Sequence, residues 1–341
     1  MDSRQSRILW AALAVVAISV SAVAHRENSV ATQQTPRTAP LFEFHSNFWV
    51  NLHQVLFHEA LLRAGKPDRR LQSNVPLSAA RMTEMENEDW NTALDFYTER
   101  IVGLRQLFDG DLVRINDQLA VLPDNPVNLN PVALPPGMEV ILKMAAPVYR
   151  KYWWPAQNAA NEQWIASQSL RVKELGPQIA GAIQRDLHQQ WPKAPLRVDV
   201  SYYVPEIGHA YTTDDPPHTT FSSSGTQLQD LSGFETLFHE ASHSFADTVT
   251  NALFAECETE KKNCGDLWHA VLFYTAGVEV RRALPPADEQ NFIPYAYKYG
   301  LYNRGDYPRY RSVLEADWQK YLDGKIDFAT AIHSMAADLQ Q

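Results

Sequence analysis

Cysteine is scarce in this chain, with two in 341 residues. So low a count excludes a disulfide-dense scaffold and a four-cysteine structural zinc site. The two residues, Cys257 and Cys264, enclose the polar segment Glu-Thr-Glu-Lys-Lys-Asn, which reads as a loop. A disulfide closing it would contribute about 2 to 3 kcal/mol in the chain-entropy picture. The alternative, a two-cysteine metal site, lacks the close spacing and the nearby histidine pair of such sites, so the disulfide is favoured. Clusters of basic residues are missing as well, and the net charge is −10, which argues against nucleic acid as a partner. Internal repeats and glycine-rich phosphate loops are absent too. The apolar run Ile8 to Val20 is too short for a comfortable membrane span.

What is present begins with an export signature. Arg4 and Arg7 precede that apolar run, and Ala22-Val23-Ala24 offers a small-x-small cleavage site before His25. Residues 1–24 therefore read as a signal peptide, which would become an N-terminal anchor only if left uncleaved, and the destination is periplasmic or extracellular. Residues 25–40 look like a flexible linker without apolar periodicity. The chain's 45% hydrophobic content is that of a globular protein with a full core, which falls from Leu41 onward. That length accommodates a helical region at 41–192 and a second region at 193–341, or one intimate domain.

The first half is periodic as helices are. Phe44 to Arg63 carries Phe48, Leu52, Val55, Leu56 and Leu62 and ends at Gly65 and Pro67; further helices are expected near 86–107, 111–122, 138–172 and 177–191. Breaks are expected at Pro147, Pro155 and Gly176-Pro177. Then the period changes. Arg197 to Val204 alternates and is rich in β-branched and aromatic residues, and His209 to Thr213 and His218 to Ser224 read as two more strands. The fold class is α+β, predominantly helical, with a small sheet placed just before the most informative segment.

That segment is Phe238-His239-Glu240-Ala241-Ser242-His243. Two histidines four apart lie on one face of a helix about a turn apart, so both imidazoles can reach one ion. Glu240, beside the first, can take a proton from water held at that ion. Ser232-Gly233-Phe234-Glu235 reads as a capping box that starts the helix at Gly233, and Phe234, Leu237, Phe238, Ala241 and Phe245 supply an apolar face.

The motif resembles that of the zincin zinc metallopeptidases. The resemblance implies a zincin-like catalytic region with one Zn2+, a peptide or protein substrate and metal-assisted hydrolysis with Glu240 as general base. It also implies an edge strand beside the active helix that pairs with extended substrate, a role that falls on Thr219 to Ser223. A catalytic zinc takes three protein ligands and keeps a fourth position open. Glu279 and His269 are the candidates for the third. Both lie on a helix expected over Asp266 to Leu284, about 15 Å apart along its axis, so they cannot both bind one ion. If the active helix continues to about Glu256, an antiparallel hairpin brings Glu279 level with His243. That arrangement is gluzincin-like, and Gly277-Val278-Glu279 resembles its third-ligand segment. If the active helix stops near Asp247, His269 is better aligned.

Other residues have plainer readings. Phe57-His58-Glu59-Ala60 copies the start of the motif, but Leu62 stands where the second histidine belongs. His45 and His53 read as core or surface residues, and Asp247 as a hydrogen-bond partner of the site or a solvated carboxylate. Tyr295, Tyr297, Tyr299 and Tyr302 form an aromatic cluster that packs the core or supplies a phenol to an oxyanion. Two rival functions stand beside the hydrolase. One is a non-catalytic exported binding protein with a structural zinc, and the other is a helical interaction protein in which the motif is accidental.

Overall fold

Alternating apolar and β-branched residues build a four-stranded sheet of order β1-β2-β4-β3. The strands are β1 (Phe42–His45), β2 (Leu196–Ser201), β3 (Ala210–Asp214) and β4 (Pro217–Ser222). β1 and β4 both run parallel to β2, whereas β3 pairs with β4 antiparallel and forms one edge. The computed structural model describes residues 39–71, 81–105, 109–125, 127–129, 133–214 and 217–340, all within one compact unit. The signal segment and all but the end of the linker lie outside the described residues.

Helices dominate the rest. Before β2 come α1 (Phe48–Arg63), α2 (Glu84–Arg100), α3 (Gly110–Ala120), α4 (Met138–Tyr152) and α5 (Trp154–Asp186). After β4 come α6 (Asp230–His243), α7 (Asp247–Thr259) and α8 (Leu267–Ala283). The short helices α9 (Pro286–Glu289), α10 (Tyr295–Lys298), α11 (Tyr307–Val313) and α12 (Gln319–Leu322) follow, and then α13 (Phe328–Asp338). Between α11 and α12 the chain widens into a π-helical turn at Leu314–Trp318. Among the described residues no helix is long and apolar enough to cross a membrane.

Two apolar clusters fill the interior. One gathers α1 to α4 around Phe48, Trp49, Phe57 and Tyr149. The other joins the sheet to α6, α8 and α13 and draws Leu41, Phe42, Trp164, Ile179 and Ile183 from the first half of the chain. A buried polar contact ties α1 to the sheet: Asn51 Nδ2 donates to Val200 O at 3.1 Å, and its Oδ1 accepts from Tyr202 N at 2.8 Å. This side chain completes backbone bonding where β2 runs out of partners.

Several local expectations are corrected. The helix expected from Phe44 begins at Phe48, because residues 42–45 find a parallel strand partner and Asn47 caps the helix, accepting from Trp49 N and Val50 N. Pro147 and Pro177 sit inside α4 and α5 without ending them. At Gly176 a β-carbon would come within 2.9 Å of Leu41 Cδ1, so α5 packs closely at the position where local chemistry would stop it and continues through. The strand given the edge role, around Thr219 to Ser223, is interior: β4 is flanked by β2 and β3, and the edge is β3.

Candidate metal centre

α6 starts earlier than its sequence suggests, and its capping box does not form. The N-cap is Gln229, Ser232 Oγ accepts from Lys298 Nζ at 3.0 Å, and Glu235 is buried with Oε2 accepting from Tyr295 N at 2.7 Å. Tertiary partners have taken both side chains away from the local cap. The helix is instead seated by close backbone approach: a β-carbon on Gly233 would lie 2.2 Å from Leu228 O, whose oxygen also accepts from Trp164 Nε1 at 2.9 Å. Gly277 does the same for α8, where a β-carbon would meet Pro294 Cβ at 2.8 Å and Glu235 Oε1 at 2.9 Å. Only glycine permits α6 and α8 to pack this closely.

α6 ends at His243. The chain turns at Ser244–Ala246, buries Phe245 against Trp191 with ring centroids 5.0 Å apart, and resumes as α7. The Cys257–Cys264 disulfide closes the connection to α8. The first turn of α8 therefore returns beside the last turn of α6. His269 Nε2 lies 3.2 Å from His239 Nε2, and His243 Nε2 lies 3.3 Å from the same atom. All three donor atoms fall within 4.8 Å of one another. Glu279 stands elsewhere, buried and accepting from Arg282 Nη1 at 2.6 Å. The expectation that it completes the cluster is corrected: the active helix is too short for the hairpin that would have brought it level, and His269, the other candidate, takes the place.

The cluster is a group that could hold a metal ion. Tetrahedral nitrogen ligands at about 2.05 Å from zinc stand about 3.3 Å apart, the spacing seen between His239 and each of its partners. Burial pushes the His243 and His269 pKa values down, to about 3 and about 4. His239 falls well below its usual value, through burial first and then the neighbouring His243 and His269. All three rings are thus neutral at neutral pH, the form that ligates. One proton shared between two of the facing nitrogens leaves the third free for water or a cation.

The surroundings fix these rings. Tyr307 Oη lies 3.1 Å from His269 Nδ1, a contact that sets the ring's orientation and tautomer. Phe273, one turn after His269 on α8, stacks on His239 with centroids 3.5 Å apart and planes 15° from parallel. Glu240 is 6% exposed and accepts from Thr212 Oγ1 on β3 at 2.8 Å. Burial raises its pKa to about 7, against the lowering effect of the Thr212 hydrogen bond. A cleft of about 560 Å³ opens over His239, Glu240, His243 and His269, bounded by β3 residues Ala210 to Thr212 and by Tyr295, Tyr299 and Tyr307. Neither Thr212 nor Tyr307 stands out in the sequence. Phe273 alone left a trace, as the residue four after His269 on an apolar helix.

The remaining candidates fall outside the cluster. Asp247 is exposed on the first turn of α7. Tyr295 and Tyr299 line the cleft, whereas Tyr297 donates to Glu315 Oε1 and Tyr302 is buried in the core. His58 stacks on Tyr203, His53 bonds Tyr97 Oη at 2.9 Å and His45 sits on β1 beside Asp124. A second grouping, Glu256, Glu260 and His333, is more exposed, and His333 already pairs with Glu256 at 2.7 Å. No family model, curated protein or solved structure matches this chain.

Proposed function

We propose that this chain is an exported zinc-dependent hydrolase that cleaves peptide bonds, with His239, His243 and His269 as its metal ligands and Glu240 as its general base. The observation that carries the reading is the meeting of three neutral imidazole Nε2 atoms from α6 and α8 beside a buried carboxylate. A zinc ion at this donor set would lower the pKa of water toward neutrality and polarise a carbonyl. Glu240, oriented by Thr212, takes the proton of the attacking water and passes it to the leaving amine. Tyr307 holds His269, and Phe273 keeps the His239 ring in plane and shields it from water. The third ligand being a histidine, the gluzincin-like form of the reading gives way to a three-histidine one.

The open cleft supports hydrolysis over a purely structural metal, because a structural zinc has four protein ligands and no access. The favoured edge for an extended substrate is β3, which borders the cleft and is bonded to Glu240. Export is supported by the signal-like N-terminus and by the Cys257–Cys264 disulfide. The direct test is Glu240→Gln. Zinc content measured on the purified variant stays stoichiometric while peptide turnover falls by about 10²- to 10⁴-fold. Undiminished turnover in that variant would overturn the mechanism.

A further inference from the structure

The cleft over the three histidines carries a cation, Arg304, that pairs with no carboxylate among the described residues. Arg304 follows the 3₁₀ turn Leu301–Asn303 and lines the cleft; its Nη2 donates to Tyr299 O at 2.7 Å, and among the described residues no carboxylate lies within 4.0 Å of it. Asp266, another charged residue of the same lining, makes no ion pair with it. The second guanidinium of the cleft, Arg70, is held differently. Asp68 accepts from its Nε at 3.1 Å and from its Nη2 at 2.9 Å, and its backbone oxygen accepts from Thr226 N and Oγ1. Arg70 is thus pinned in place with Nη1 outside the Asp68 pair. Glu240, the buried carboxylate of the cleft, is bonded to Thr212.

We infer that this cleft recognises a substrate carboxylate, through Arg304 with Arg70 in support, so that the hydrolase acts on peptides next to an anionic terminal residue. The guanidinium fork matches a carboxylate in two parallel hydrogen bonds. Arg304 is exposed at the cleft, which Tyr295, Tyr299 and Tyr307 also line. The size agrees: about 560 Å³ lies within the range of sites that take one small ligand, room for a terminal residue or two. The inference rests on the proposed hydrolase for its chemistry, but the recognition can be read by binding alone. A C-terminal carboxylate and an acidic side chain present the same chemistry, and the experiment separates them.

Zinc-loaded Glu240→Gln protein, full-length and folded, is titrated calorimetrically with N-acetylated tripeptides of three kinds: Ala-terminated with a free carboxylate, Ala-terminated as the carboxamide, and Glu-terminated as the carboxamide. The free acid binds at least about tenfold tighter than its carboxamide, and the preference weakens as salt is added. Tight binding of the Glu carboxamide as well assigns the subsite to carboxylates in general; its failure to bind assigns it to the chain terminus. Introducing Arg304→Ala removes most of the preference, and Arg304→Lys restores only part of it, as loss of the planar fork requires. Equal binding of all three peptides by the parent protein overturns the inference while leaving the metal site untouched. Absence of stoichiometric zinc would instead overturn the hydrolase reading, whatever the peptides do.

Discussion

On the sheet, His218 of β4 lies between two carboxylates, Asp199 at 2.7 Å and Asp117 at 3.2 Å, and Asp199 also accepts from Arg197. Where α6 meets α8, the facing nitrogens of His239, His243 and His269 meet one another and, among the described residues, no carboxylate. His218 is buried and the three clustered rings are buried or half-buried, yet their pKa values are moved in opposite directions. Burial alone would lower His218, but its bonds to Asp117 and Asp199 outweigh that and its pKa is raised; the three clustered rings lie far below their usual value. A buried histidine given partners by the chain is finished by folding. Three whose nitrogens converge, with no carboxylate of the described residues between them, could hold a metal ion, which makes the second group the candidate centre and the first structure.

The comparison breaks most visibly if His239 is removed. His239→Ala abolishes stoichiometric zinc and, with it, turnover by more than about 10⁴-fold, whereas Glu279→Gln leaves the zinc content unchanged; metal analysis of both proteins checks this. Next in size is the sheet. Asp199→Asn breaks a fully buried pair and costs about 3 to 5 kcal/mol in denaturant unfolding, with no change in bound zinc. Loss of metal from that variant while it remains folded would erase the distinction between the two regions.

A pH prediction follows from Glu235, whose folded pKa burial raises from 4.5 to about 8 against the Tyr295 hydrogen bond. Between those values the unfolded chain has released the proton that the folded chain retains, so stability falls as pH rises from about 4.5 to about 8. Glu235→Gln flattens that dependence and gains on the order of a few kcal/mol at the alkaline end, read from thermal unfolding across the range. The smallest effect is expected at Tyr307. Tyr307→Phe leaves the three ligands in place but frees the His269 ring, weakening zinc about 10- to 100-fold in a competitive chelator titration. An unchanged affinity would mean that packing against Trp268 and Phe273 alone orients the ring.

Much of the architecture was legible beforehand because its causes are local. Alternation marked three of the four strands, and the Cys257–Cys264 disulfide followed from two cysteines flanking one polar segment, although that segment begins inside α7 and is not all loop. β1 escaped because four residues ahead of a helical period look like part of it until a parallel partner more than a hundred residues away is known. The capping box at Ser232 was misleading for the same reason: Lys298 and the backbone of Tyr295 outbid it. Thr212 and Tyr307 were invisible because a threonine in a strand and a tyrosine among tyrosines carry no local mark.

The candidate centre divides along the same line. The pairing of His239 with His243, and the place of Glu240 beside them, follow from helical periodicity over five residues, so the sequence by itself determined them. The third member depends on where α6 ends. Phe245, Val249 and Leu253 keep the helical period through the break, yet the chain turns at Ser244 to Ala246, where Phe245 is buried against Trp191, and α8 returns with His269 foremost. Choosing between His269 and Glu279 was therefore a matter of tertiary packing, because two residues about 15 Å apart on one helix are told apart only by which turn of it meets the neighbouring helix.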